Sequence, residues 1–114
     1  MHELAITENI VRIVVEHARR ANARKVHEIH LVVGDLTTFV PDSIQFYFDL
    51  LSEGTLCEGA QLVIERRPGQ IRCRQCGETY PVEAGQMWIC PHCGAFGGDV
   101  AAGRELYVDH IEAT

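Results

Sequence analysis

The sequence Cys73-Arg-Gln-Cys76, followed after residues 77–89 by Cys90-Pro-His-Cys93, decides the fold of one part of this chain. Two C-x-x-C pairs supply four thiolates, which is the ligand set of a tetrahedral structural zinc site. The pattern therefore predicts a structural Zn²⁺ bound by Cys73, Cys76, Cys90 and Cys93. Because four thiolates leave no open position for water, we do not expect this metal to be catalytic.

A glycine follows each cysteine pair, at Gly77 and Gly94. That position in a metal-binding turn commonly needs a left-handed backbone, which glycine adopts without steric cost. The gap between the pairs is slightly shorter than usual for this pattern. Two disulfides or two redox dithiols are the alternatives. A redox C-x-x-C would need a βαβ context, which the sequence lacks, and disulfides are rare in reducing compartments.

The composition indicates a small protein and argues against nucleic acid as its partner. The chain has 114 residues, of which 46% are hydrophobic, and a formal net charge of −6. A basic surface is needed to displace counterions from phosphate, so this charge argues against general nucleic-acid binding. The sequence contains no run long and apolar enough to span a membrane and opens without a secretory leader. We therefore expect a cytoplasmic protein.

The periodicity of the apolar residues predicts an α+β fold. Helical spacing predicts two helices, and alternation of apolar and polar residues predicts three strands. The helices are expected at about 3–21 and 41–53, and the strands at 26–33, 61–67 and 104–111. The last strand has no core of its own, so we expect it to join the other two in a three-stranded sheet packed with the two helices. The four-cysteine zinc-ribbon lobe is then an insertion between two strands.

This topology predicts two domains. Residues 1–69 and 98–114 would form a discontinuous α/β domain, and residues 70–97 would form a zinc-binding domain. Neither a catalytic triad order nor a phosphate-binding glycine loop nor an H-E-x-x-H motif is present in the sequence. The prediction is that the protein is not an enzyme.

Histidine at position 2 suggests a second metal site. The α-amine of Met1, the amide nitrogen of His2 and its imidazole could chelate one metal ion in fused rings, and the amide of Glu3 could join them. The first N–H groups of a helix lack intrahelical acceptors, which leaves them free for this role. A planar set of nitrogens suits Ni²⁺ or Cu²⁺ better than Zn²⁺. From these residues alone, a simple exposed terminal histidine is the commoner explanation.

The remaining histidines and the fifth cysteine carry weaker signals. His17 is expected on the inward side of the first helix, and His30 on the surface of its strand. His92 lies between two zinc cysteines and is expected to face solvent, a weak metal contact being the alternative. His110, near the end of the last strand, carries no signal, and Cys57 is expected to be a buried apolar group.

Taken together, the motifs resemble the HypA/HybF family of nickel metallochaperones for hydrogenase maturation. The resemblance runs from Met1 to about Ile111 and rests on the following segments, in this order, together with the two cysteine pairs: Met1-His2-Glu3-Leu4, Val33-Gly34-Asp35-Leu36, Gly54-Thr55 and Glu58-Gly59-Ala60. It implies a nickel-binding α/β domain (residues 1–69 and 98–114) joined to the zinc-binding domain. It also implies that His2 binds Ni²⁺ with backbone nitrogens near Met1, and that Glu3 supports nickel geometry or delivery.

The resemblance further implies Ni²⁺ as transient cargo and Zn²⁺ as a structural ion. The implied partners are a HypB-type GTPase and the large-subunit precursor of [NiFe]-hydrogenase, with urease maturation proteins in some bacteria. We expect a monomer or weak homodimer without a nucleic-acid partner. The alternative from another class of protein is a zinc-ribbon module for protein interaction or nucleic-acid binding.

Overall fold

A computed structural model describes residues 2–83 and 85–114 of the chain, with His2 described by its backbone alone. The order is helix, strand, helix and then five strands. In chain order the elements are α1 (His2–Arg20), β1 (Val26–Gly34), α2 (Pro41–Leu51), β2 (Gln61–Arg67), β3 (Gly69–Arg72), β4 (Thr79–Val82), β5 (Asp99–Ala102) and β6 (Leu106–Ala113). Within the described residues, no helix is long and apolar enough to traverse a lipid bilayer.

The strands form two three-stranded sheets, in the orders β2-β1-β6 and β4-β3-β5. The first sheet confirms that the last strand returns to the two strands before the cysteines. The second sheet was not predicted from the sequence. Its strand β3 pairs antiparallel with both β4 and β5, and the register of the β3–β5 pair shifts between Gln70 and Ile71. The predicted α+β class, with a sheet, two helices and a four-cysteine lobe, is confirmed.

The described chain divides into two compact units. The first comprises the described residues up to Leu31, together with Phe39–Glu65 and Tyr107–Thr114, and the second comprises Val32–Thr38 and Arg66–Leu106. The assignment of a nickel-binding and a zinc-binding domain to the chain stays a prediction.

In the first unit, α1 packs against α2. The apolar spacing of α1 buries Val14 and Ala18 almost completely, and α2 buries Ile44 and Phe48. Burial of a Val, Ile or Phe side chain stabilises a fold by about 1.5–3 kcal/mol. Because β-branched residues lower the helix propensity of α1, this packing is what holds the helix.

Local sequence sets the helix ends. Asn22 has a left-handed φ of 57°, the Ala23 N–H donates to the Ala18 carbonyl, and the Asn22 N–H donates to the Arg19 carbonyl. These two bonds are the Schellman arrangement, which satisfies carbonyls at a helix C-terminus. Pro41 begins α2, where its missing N–H costs nothing. The expected start of α2 is confirmed, and its end at Leu51 comes two residues earlier than expected.

Candidate metal centre

The four cysteine sulfurs of the predicted zinc site come together in the second unit. All four Sγ atoms lie within 4.8 Å of one another. The Sγ atoms of Cys73 and Cys93 are 3.5 Å apart, and those of Cys76 and Cys90 are 3.6 Å apart. Four Zn–S bonds of about 2.3 Å in a tetrahedron place the sulfurs about 3.8 Å apart, whereas a disulfide needs about 2.05 Å. The cluster therefore fits a tetrathiolate zinc site.

Two matching turns position these sulfurs. The Gly77 N–H donates to the Cys73 carbonyl at 3.0 Å, and the Gly94 N–H donates to the Cys90 carbonyl at 2.8 Å. The two glycines have φ values of 78° and 77°, in the left-handed region that L side chains rarely adopt. Gly77 and Gly94, the two glycines predicted to adopt a left-handed backbone, thus close both C-x-x-C turns in the same way.

The thiols of the cluster differ in acidity. The backbone N–H of Cys76 has the largest influence on Cys73 and lowers its pKa to about 6. The Cys76 sulfur receives a backbone hydrogen bond from Glu78, but desolvation and the neighbouring Cys90 raise its pKa to about 12. A second thiolate beside the first is unfavourable without a cation. A divalent ion removes this repulsion, which is the role that zinc would have here.

A small apolar cluster supports the cysteines from one side. Ile71, Tyr80 and Val82 are buried together with Cys73 and Cys90. The Tyr80 hydroxyl donates to the Gly97 carbonyl at 3.3 Å, which leaves its ring in the cluster while satisfying its polar end. Because this core has only five buried residues among those that the structure describes, bound metal would contribute a large share of its folding free energy.

The predicted nickel site falls mostly outside the described residues. Met1 and the side chain of His2 belong to the parts that the structure does not describe. Glu3 lies in the first turn of α1, and its pKa is lowered, chiefly by a hydrogen bond from its own backbone N–H. Because α1 begins at His2, the first amides of the helix lack carbonyl acceptors within the helix.

Two of the predictions about the other side chains are confirmed, and one is wrong. Cys57 is fully buried, as expected, and burial raises the pKa of its thiol. His92 faces solvent, as expected for a residue between two zinc cysteines. His17 was expected on the inward side of α1, and this was wrong, because the residue is exposed. Val14 and Ala18 cover the buried face of α1 in its place.

The structure also brings together three residues that the sequence analysis did not connect. One potential ligand atom each from His30, His110 and Glu112 lies within 4.8 Å of the others. The imidazole rings of His30 and His110 stack with a centroid separation of 3.9 Å. A sequence signal was present, because Glu28-x-His30 and His110-x-Glu112 put polar residues at alternate positions of two strands that were expected to share a sheet.

The chain resembles known proteins over its whole length. The model of a family described as "Hydrogenase/urease nickel incorporation, metallochaperone, hypA" matches residues 1–113. Hydrogenase maturation factor HypA of Geobacter metallireducens is 45% identical over 112 residues, covering 98% of each chain. The HypA proteins of Nostoc sp. and Dehalococcoides mccartyi strain 195 are 46% and 42% identical, covering 98% of this chain and 95% and 93% of their own.

Solved structures show the same fold. The solution structure of the Ni metallochaperone HypA from Helicobacter pylori covers 97% of this chain and 96% of its own length, with a TM-score of 0.69 and 20% identity. A second solution structure, of a HypA protein, covers 100% of this chain and 97% of its own length, with a TM-score of 0.76 and 20% identity.

Proposed function

The chain belongs to the HypA family of hydrogenase maturation factors and nickel metallochaperones, and from this premise we propose that it binds Ni²⁺ at its N-terminus and delivers it to [NiFe]-hydrogenase. Members of this family are metallochaperones and maturation factors, not enzymes. In this proposal Ni²⁺ is transient cargo. Its ligands are the His2 imidazole and backbone nitrogens near Met1, and Glu3 assists the geometry or the delivery.

One observation supports the proposed nickel site: α1 begins at His2, the second residue of the segment that matches the family model. The leading amide nitrogens of a helix are not used by its own hydrogen-bond ladder, so they can bind a cation after losing their protons. The ligands would then be an amine, amides and an imidazole, a set that favours Ni²⁺ or Cu²⁺. Such a site releases its ion when a client enzyme offers better ligands.

The four-cysteine cluster fits a structural zinc ion, and we propose that Cys73, Cys76, Cys90 and Cys93 bind it. The zinc-binding domain would be residues 70–97, and the nickel-binding domain residues 1–69 and 98–114. A maturation factor acts together with other maturation factors. The proposed partners are a HypB-type GTPase and the large-subunit precursor of [NiFe]-hydrogenase, in the cytoplasm, with the chain as a monomer or weak homodimer.

Urease maturation is a further proposed role, supported by the wording of the family description, which names hydrogenase and urease. The alternative function, a zinc-ribbon module that binds nucleic acid or another protein, has less support. Two arginines near the cysteine cluster are paired with acids, Arg66 with Asp35 at 2.8 Å and Arg74 with Asp99 at 3.0 Å. Paired arginines have less positive charge available to phosphates.

The test of the nickel site is a difference in stoichiometry. We expect His2→Ala to bind one equivalent of Ni²⁺ fewer than the untagged parent in equilibrium dialysis, with unchanged zinc content and circular dichroism. His27→Ala is the matched control, because this histidine is exposed on β1 and its ring hydrogen-bonds at the surface with the Thr114 hydroxyl. Equal nickel content in His2→Ala and the parent would contradict the proposal.

A further inference from the structure

We propose that His30, His110 and Glu112 form a second site, for a divalent first-row transition-metal ion, on the sheet where β1 and β6 are neighbours. The three residues belong to the first unit, and β1 and β6 are adjacent in its sheet. This site uses neither the N-terminal residues nor the four cysteines, so it is independent of the nickel-delivery proposal.

The three side chains are near enough to one another to reach a common ion after a local rearrangement. Each of the three side chains offers an atom within 4.8 Å of the other two, and the imidazole planes are inclined by only 16°. Metal–nitrogen bonds of about 2.0–2.1 Å place two nitrogens on one tetrahedral ion about 3.4 Å apart. Imidazole lone pairs lie in the ring plane, so the stacked rings must part before both can bind one ion. Reorientation of the His110 side chain, which is 52% exposed, allows this.

Carboxylates outside the proposed ligand set orient both imidazoles. Nε2 of His30 is 3.0 Å from Oε1 of Glu28, and Nδ1 of His110 is 2.7 Å from Oδ2 of Asp109. An ionised carboxylate can only accept, so we assign the ring proton to those two nitrogens. The second nitrogen of each neutral ring then presents a lone pair, as in metal sites where a carboxylate supports the ligating histidine.

The local charge also favours a cation. Three carboxylates, those of Glu28, Asp109 and Glu112, lie at or beside the two stacked imidazoles. Two rings with lone pairs and a cluster of negative charges repel one another less when a divalent ion lies among them. The supporting carboxylates of Glu28 and Asp109 and the local negative charge are thus those expected around a metal site.

The donor atoms select the class of metal. Imidazole nitrogen suits Zn²⁺, Ni²⁺ and Cu²⁺, whereas Mg²⁺ and Ca²⁺ prefer sites made of oxygen atoms. Three protein ligands leave at least one position for water. Because His110 and Asp109 are each about half exposed, the ion would exchange readily with solution.

The test uses the full-length, zinc-loaded His2→Ala protein with Ni²⁺ as the probe, so that the N-terminal site does not contribute. We expect this protein to retain one equivalent of Ni²⁺ beyond its zinc, and His2→Ala/His110→Ala to lose it. His2→Ala/His27→Ala, which removes an exposed histidine of β1 outside the cluster, should retain it. Absence of nickel from His2→Ala, or its retention by the His110 variant, overturns the proposal.

Two further variants distinguish ligation from a structural effect. Glu112→Gln removes the negative charge of a ligand carboxylate. Asp109→Asn removes the carboxylate that orients the His110 ring, without removing a ligand. Each variant should weaken Ni²⁺ binding by roughly 10-fold or more. In NMR spectra, bound paramagnetic Ni²⁺ should broaden most strongly the backbone amide signals of residues in β1 and β6. If His110→Ala lowers the stoichiometry of the parent while His2→Ala does not, this site stands and the N-terminal proposal fails.

Discussion

A methyl group added to Gly34 would overlap the backbone carbonyl of Gly103. The two chain segments are held this close by hydrogen bonds, in which the Gly34 N–H donates to the Glu105 carbonyl at 2.7 Å and the Leu36 N–H donates to the Gly103 carbonyl at 2.8 Å. No side chain fits between backbones at that distance. Close packing of the two backbones therefore explains why a glycine occupies position 34 in the Val33-Gly34-Asp35 segment.

We predict that Gly34→Ala lowers the free energy of unfolding by about 1–3 kcal/mol or more, because the clash is with backbone that cannot rotate away. Thermal denaturation of the zinc-loaded protein measures this. Gly59→Ala is the control, since its added methyl meets open space and only its φ of 78° is unfavourable. A Gly34→Ala protein as stable as the parent would show that the close approach has no energetic effect.

Trp88 is partly buried against the apolar cluster that contains Cys73 and Cys90. We predict that Cys73→Ser abolishes zinc binding and the ordered packing around Trp88, because a hydroxyl is a poor replacement for a thiolate at a tetrathiolate site. Zinc content and tryptophan fluorescence report on the two effects. Cys57→Ala is the matched control. Its sulfur is buried outside the cluster, so that variant should keep its full zinc content. Zinc retained at one equivalent by Cys73→Ser would refute the assignment of this ligand.

Glu105 should make stability depend on pH. Its pKa lies below the usual value of 4.5, chiefly because the Gly103 N–H donates to its carboxylate, and Arg67 also contributes. A lowered folded-state pKa means that this contribution to stability is complete above about pH 4.5 and is lost as the pH falls through the folded-state pKa.

We therefore predict that Glu105→Gln reduces the free energy of unfolding by roughly 1 kcal/mol at pH 7, and that its difference from the parent shrinks below pH 4.5. Chemical denaturation at a series of pH values measures it, with zinc content checked at each pH so that only metal-loaded samples are compared. The exposed Glu58→Gln is the control and should show a smaller difference at pH 7. A Glu105→Gln deficit that stays constant into acid would contradict the predicted role of the carboxylate.

We predict that a short peptide added before Met1 weakens Ni²⁺ binding at the N-terminus strongly, because it converts the proposed amine ligand into an amide. Zinc content should not change. The comparison is between the tagged protein and the same protein after removal of the tag, both carrying His110→Ala so that the sheet site does not contribute. Identical nickel affinity in the two forms would exclude the Met1 amine as a ligand.

The sequence was sufficient where structure depends on near neighbours. Asn22 ends α1 through a left-handed residue and two backbone bonds, and Pro41 begins α2 because it needs no N–H donor. Helical periodicity predicted α1, and its residues Val14 and Ala18, four apart, are buried on one face. It failed for His17, since a residue at the margin of an apolar stripe is exposed or buried according to what packs there.

The second sheet was missed for a different reason. Its strands β3, β4 and β5 have only four residues each, which is too few for alternation to distinguish them from loops. The first cysteine turn lies between β3 and β4, and β5 follows the second cysteine turn. The sequence signal for these strands was therefore indirect and lay in the cysteines.

The sequence by itself determined the two C-x-x-C pairs, the turns that present their sulfurs and the helix boundaries, because each depends on atoms a few residues apart. Only the tertiary structure decided that Gly34 meets Gly103 and that His30 stacks on His110. Those contacts join segments far apart in the chain. His30 and His110 meet because β1 and β6 are neighbours in one sheet, and Gly34 meets Gly103 because their two backbones pass close to each other. Pairing of distant strands is set by the whole core, which no local pattern encodes.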